Sequence, residues 1–147
     1  PADPGAVRIK YFHANNTKNV FVNAFAANEP KSTKAILNKV ESYNYPYDKK
    51  IIILNCRSDR VDRTQLFVDN FLGEVDYDVL ICTGKSTQMV TQFMETMPEK
   101  TYINYEGRDF VEIEKGILHE AENALVFCVG NIHGPGGRIA EFIEGIE

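Results

Sequence analysis

Apolar residues recur along this chain in two alternating rhythms. Ala6–Phe12 and Asn19–Phe25 are short runs rich in β-branched and aromatic residues, separated by the turn-forming His13-Ala14-Asn15-Asn16, which reads as a β-hairpin. Pro30-Lys31-Ser32 then opens a helix with Ile36, Leu37 and Val40 on one side, closing before Asn44 and Pro46. Ile51-Ile52-Ile53-Leu54 is an unbroken apolar run of strand length, the mark of a strand covered on both faces of a parallel sheet. Val61, Phe67, Val68, Phe71 and Leu72 follow at helical spacing. Asp78–Cys82 is the next strand, and Met89, Val90, Phe93 and Met94 stripe the helix after it. Thr101–Tyr105 predicts a short strand and Phe110–Leu118 a helix. Ala124–Val129 is another fully apolar strand, and Ile139, Phe142, Ile143 and Ile146 mark a closing helix.

This alternation at the length of a βα unit implies a parallel sheet with helices on both faces. The predicted fold class is α/β, a Rossmann-like, mostly parallel sheet with flanking helices, preceded by a β-hairpin. With 147 residues the chain suits one domain with a real core. A hydrophobic content of 44% against 25% charged residues describes a globular protein. The formal net charge of −5 argues against nucleic acid as a partner, because that needs a basic face. Cys56, Cys82 and Cys128 each end an apolar run. They are too scattered for a disulfide framework or a zinc site, so buried reduced thiols in a cytosolic setting are expected. No apolar stretch approaches the ~20 residues a membrane span requires. The chain starts at Pro1 rather than Met, which reads as a fragment of something larger.

In such sheets ligands bind at the carboxyl ends of strands, which directs attention to four loops: Ala26–Lys31, Asn55–Asp62, Thr83–Thr87 and Gly130–Gly137. Gly84-Lys85-Ser86-Thr87 has the last letters of a nucleotide-binding P-loop. The leading glycine would have to stand where Val79 lies within a strand, so the loop is too short to wrap a phosphate. It reads as a turn with Ser86 or Thr87 capping a helix. "NCRSDRVDRTQ", Asn55–Gln65, interleaves Arg57, Arg60 and Arg63 with Asp59 and Asp62. Guanidinium groups at a helix start suit a carboxylate or phosphate. The same residues also read as a solvated surface with Asp59–Arg63 as an i,i+4 pair. "GNIHGPGG", Gly130–Gly137, has four glycines for close backbone approach, Pro135 for a first helical turn, and His133 as donor, acid or base. It reads equally as a tight turn. In the first loop Asn28 and Lys31 flank a helix start, with Asn28 as turn former and Ser32 as cap. Cys56 has no histidine in its motif to activate it, which favours a structural thiol.

Four stretches together carry a resemblance: Asp3-Pro4-Gly5-Ala6, Phe21–Asn28, Asn55–Gln65 and Val129–Gly134. They resemble the C-terminal part of poly-γ-glutamate synthases of the CapB/PgsB type, ATP-dependent amide ligases related to Mur ligases and folylpolyglutamate synthases. The resemblance implies activation of a glutamyl carboxylate with ATP and Mg²⁺ as an acyl phosphate, then attack by the amine of the next glutamate. It implies that ATP and Mg²⁺ are bound mainly by an upstream P-loop ATPase domain, absent here, onto which this domain closes. The isolated domain would then be inactive and hold no catalytic residue and no metal ligand. The resemblance places Arg8, Asn23 and Asn28 toward the nucleotide. Arg57, Asp59, Arg60, Arg63, Asn131 and His133 would face glutamate or the growing poly-γ-glutamate chain. The implied partners are the ATPase domain and small membrane proteins of the synthase, at the inner face of the cell membrane. The alternatives are a non-enzymatic anion- or nucleotide-binding regulatory module, and a Mur- or folate-type ligase domain with another acceptor.

Overall fold

The computed structural model describes residues 7–147; the Asp3–Ala6 motif lies outside them. The elements run β1 (Arg8–Ala14), β2 (Thr17–Asn23), α1 (Pro30–Ser42), β3 (Lys49–Cys56), α2 (Val61–Asn70), β4 (Val79–Gly84), α3 (Gln88–Met94), β5 (Thr101–Asn104), α4 (Phe110–Glu120), β6 (Ala124–Gly130) and α5 (Pro135–Glu144). Every predicted element is present in the predicted order. Asn15 and Asn16 turn the hairpin with φ of 54° and 56°, the left-handed pair that a two-residue turn needs to match strand twist.

The hairpin does not stand apart from the sheet. The six strands are ordered β1-β2-β6-β3-β4-β5, and β2 runs parallel beside β6, with Phe21 opposite Val126. Only β1, on the outer edge, is antiparallel. The last strand in sequence is therefore central, and β2, β6 and β3 end side by side. Helices α1, α2 and α3 cover one face, where Leu37, Phe67 and Val90 pack on Ile52, Leu80 and Phe127. Helices α4 and α5 cover the other, where Ile117 and Ile143 meet Ile51, Ile81 and Val126. Alternate residues of each strand feed opposite layers, which is why the isoleucine run of β3 has no polar face. Neighbouring strands β3 and β6 lead to helices on opposite faces, so their loops splay apart. That divergence opens the crevice in which doubly wound sheets bind ligands.

Candidate functional site

At the crevice Asn55 joins the two diverging loops. It is 1% exposed at the end of β3. Its Nδ2 donates to the carbonyls of Asn131 at 2.5 Å and His133 at 2.8 Å. Its Oδ1 accepts from the Thr83 hydroxyl at 2.8 Å, and its own carbonyl accepts from Asn131 N. One amide thus ties together the ends of β3, β4 and β6. Three glycines let backbone approach it. A Cβ on Gly84 would lie 2.9 Å from Asn55 Oδ1, one on Gly130 2.5 Å from Asn55 O, and one on Gly136 2.9 Å from Asn55 Nδ2. Two of the four glycines in the Gly130–Gly137 loop are therefore committed to the protein's own chain rather than to a ligand. Asn55 was not among the expected site residues; its signal in the sequence was a single polar side chain directly after the apolar run Ile51–Leu54.

Around this hub the structure brings together six of the nine expected site residues. Asn28, Arg57, Arg60, Arg63, Asn131 and His133 line one open cleft of about 300 Å³, with Phe25, Ala26 and Ile132 as an apolar wall. A separate cavity of about 20 Å³ shares the three arginines, Asn28 and Asn131 and is lined also by Cys56 and Phe67. Asp59 holds two of the three arginines at the rim: Arg57 Nε and Nη2 meet its two carboxylate oxygens at 2.6 and 2.9 Å. Arg60 Nη1 donates to its carbonyl at 2.9 Å and stands 3.8 Å from its carboxylate. Desolvation pulls the Asp59 carboxyl up, but the hydrogen bond and charge of Arg57, with the charge of Arg60, together hold it below the usual range. The Asp59–Arg63 pair of the alternative, solvated-surface reading is not formed, because Asp59 precedes the first turn of α2 and points to Arg57 instead. Arg63 makes no ion pair among the described residues. His133 N donates to Asn131 Oδ1, and its side chain stands at the exposed rim.

The remaining residues are placed elsewhere. Asn23 is buried and its Oδ1 accepts from Phe25 N, so it shapes the turn out of β2. Arg8 lies on the edge strand opposite Asn23, with its guanidinium 3.0 Å from Glu144 rather than among the cleft-lining side chains. The expected hydroxyl caps are not made. Glu29 caps α1 in place of Ser32, its carboxylate accepting from Ser32 N at 2.8 Å. Thr87 does stand at the N-cap position of α3, but its side chain makes no capping bond.

At the Gly84–Thr87 turn the anion is supplied from within. Glu106 accepts from Ser86 N at 3.1 Å, Thr87 N at 3.0 Å and the Thr87 hydroxyl at 2.5 Å. The amides that a phosphate would seek are occupied by a carboxylate. The Thr87 hydroxyl bond, with the two amides, holds Glu106 below the usual carboxylate range. A depressed folded-state value stabilises above the ordinary glutamate range and is lost as pH falls through it. Glu106→Gln is therefore expected to cost about 1 kcal/mol at neutral pH. The difference should shrink toward acid pH, as read by urea denaturation at several pH values.

The three thiols are buried and free. Cys56 Sγ lies 3.9 Å from Cys82 Sγ. That contact holds Cys56 below an ordinary thiol against the opposing effect of burial, and the same contact with burial pushes Cys82 up. Burial likewise raises Cys128. Among the described residues no three His, Cys, Asp or Glu side chains converge as a metal site. The cleft's guanidinium and amide groups suit an anion, not Mg²⁺. No helix of the described residues is long and apolar enough to cross a membrane.

Comparison with known proteins accords with this architecture. The chain is 38% identical over 143 residues to the capsule biosynthesis protein CapB of Bacillus anthracis, covering 96% of this chain and 31% of that one. It is 37% identical over 146 residues to the PGA synthase CapB of Bacillus subtilis, covering 98% and 37%. It thus spans about a third of the length of these relatives. Among solved structures, the UDP-N-acetylmuramate–alanine ligase MurC of Thermotoga maritima superposes with a TM-score of 0.56 at 18% identity, over 95% of this chain and 29% of that one. MurF of Acinetobacter baumannii superposes with a TM-score of 0.55 at 10% identity, over 93% and 30%. These likenesses show the fold of a Mur ligase domain. Residues 9–146 match the poly-gamma-glutamate synthase CapB C-terminal domain, and the chain belongs to that family.

Proposed function

We propose that this domain is the acidic-substrate-holding part of an ATP-dependent amide ligase that joins glutamates through γ-linkages. One observation carries the reading. Loops far apart in sequence deliver Arg57, Arg60 and Arg63 with Asn28, Asn131 and His133 to a single cleft at the strand ends. Guanidinium forks bind planar carboxylates with two parallel hydrogen bonds, and side-chain amides complement the peptide-like linkage. The ligand is glutamate or the growing poly-γ-glutamate chain, with the methylenes against Phe25 and Ile132.

ATP with Mg²⁺, held mainly by a separate P-loop domain, would supply the phosphoryl group that converts a glutamyl carboxylate into an acyl phosphate, with ADP leaving. The residues of this chain fix the glutamate so that its amine lies in line. When the domain closes on its ATPase partner they exclude the water that would hydrolyse the activated acid. In this reading the synthase works with small membrane proteins at the inner face of the cell membrane, as the resemblance implies.

In a full-length ligase carrying this domain, Arg57→Ala or Arg60→Ala is expected to lower glutamate-dependent ATP turnover roughly 10- to 100-fold when a growing poly-γ-glutamate chain is present as co-substrate. That is the value of one charge-assisted contact, and ATP binding should be spared. Unchanged turnover at both low and saturating glutamate refutes the assignment. The 147-residue chain alone is expected to hydrolyse no ATP; Mg²⁺-dependent phosphate release by the purified chain overturns this.

A further inference from the structure

The three arginines of the cleft are not equally available. The fork edge of Arg57 already receives both oxygens of Asp59, in the arrangement a ligand carboxylate would adopt. Arg60 is half engaged, through the Asp59 carbonyl and a 3.8 Å approach to its carboxylate. Arg63, on the same wall, makes no ion pair among the described residues.

We propose that Asp59 is the specificity-determining residue of the cleft: by occupying Arg57 it favours ligands that bear more carboxylates along a flexible chain than the two of free glutamate. The inference rests on the carboxylate-binding reading above and adds the residue that discriminates between its two ligands, free glutamate and the growing chain. A lone carboxylate arriving at Arg57 only replaces Asp59. Their pair is exposed, with side-chain accessibilities of 33% and 54%, and such pairs contribute little. The exchange is therefore nearly neutral and yields little affinity. A longer chain with one carboxylate on Arg63 holds several others at high local concentration beside Arg60 and Arg57, where they outcompete Asp59 more often than the single remaining carboxylate of glutamate. The chain as a whole carries a net charge of −5, so its overall field repels polyanions. A gain in affinity with each added carboxylate must then come from these local guanidinium groups.

The test titrates the purified 147-residue chain with acetate, glutamate and γ-linked triglutamate at one ionic strength, following the arginine Nε–H resonances by NMR. Triglutamate is expected to bind at least about tenfold more tightly than glutamate. Asp59→Asn is expected to tighten glutamate about fivefold by freeing Arg57, narrowing that gap. Arg63→Ala is expected to remove the advantage of triglutamate. If Asp59→Asn weakens glutamate and triglutamate alike, Asp59 is a scaffold for Arg57 and the proposal falls. Glutamate binding that gains nothing from further carboxylates overturns this inference alone. Absence of binding by every carboxylate overturns the reading beneath it as well.

Discussion

Gly84→Ala is expected to cost about 3–6 kcal/mol and to leave little folded protein. Gly84 ends β4 with φ of 93°, a region L-residues rarely enter, and a Cβ there would overlap the Cys56 carbonyl oxygen and stand 2.8 Å from Cys56 N. These are backbone atoms of the neighbouring strand, so relief requires β3 and β4 to part where Lys85 N now donates to Cys56 O. Gly107 is the control. Its φ is 78°, yet nothing lies within 4 Å of where its methyl would stand, so Gly107→Ala should cost only about 1–2 kcal/mol of backbone strain. Urea midpoints of the two variants separate close packing from conformational strain. Equal losses would show that the contact with Cys56 is unimportant.

Asn55→Ala is expected to cost roughly 3 kcal/mol, with the arginine and histidine loops losing their mutual alignment. The change removes two donated bonds and one accepted bond, and leaves the fully buried Thr83 hydroxyl without its acceptor. Asn55→Asp should be worse at neutral pH, since it keeps the size but sets a carboxylate against the Asn131 and His133 carbonyls. Denaturant unfolding reads the stability loss, and the amide resonances of 131–133 read the loop. A variant that loses less than about 1 kcal/mol, with those resonances unmoved, would show that the loops are held by other contacts.

The order and type of the elements were legible in the chain because they depend on local rules. The isoleucine run of β3, the paired asparagines of the hairpin turn and the stripes of α1 and α5 are short-range patterns, each readable within a few residues. Arg57, Arg60 and Arg63 were likewise visible as a dense basic run after a buried strand. Their partners were not. The alternative reading paired Asp59 with Arg63 along a helix, but helix α2 begins only at Val61, so the carboxylate turns back to Arg57 instead.

What the sequence determined by itself was an α/β alternation, the loops at its strand ends, and the arginine, asparagine and histidine residues they carry. Only the tertiary structure decided that β6 inserts between β2 and β3, which is what brings Asn28, the arginines and His133 into one cleft. It also decided that Glu106 occupies the Ser86 and Thr87 amides and that Gly130 and Gly136 serve Asn55 rather than a ligand. The physical reason is the same in each case. Strand order and anion occupancy are settled by contacts between segments tens of residues apart, and these leave no trace in local spacing.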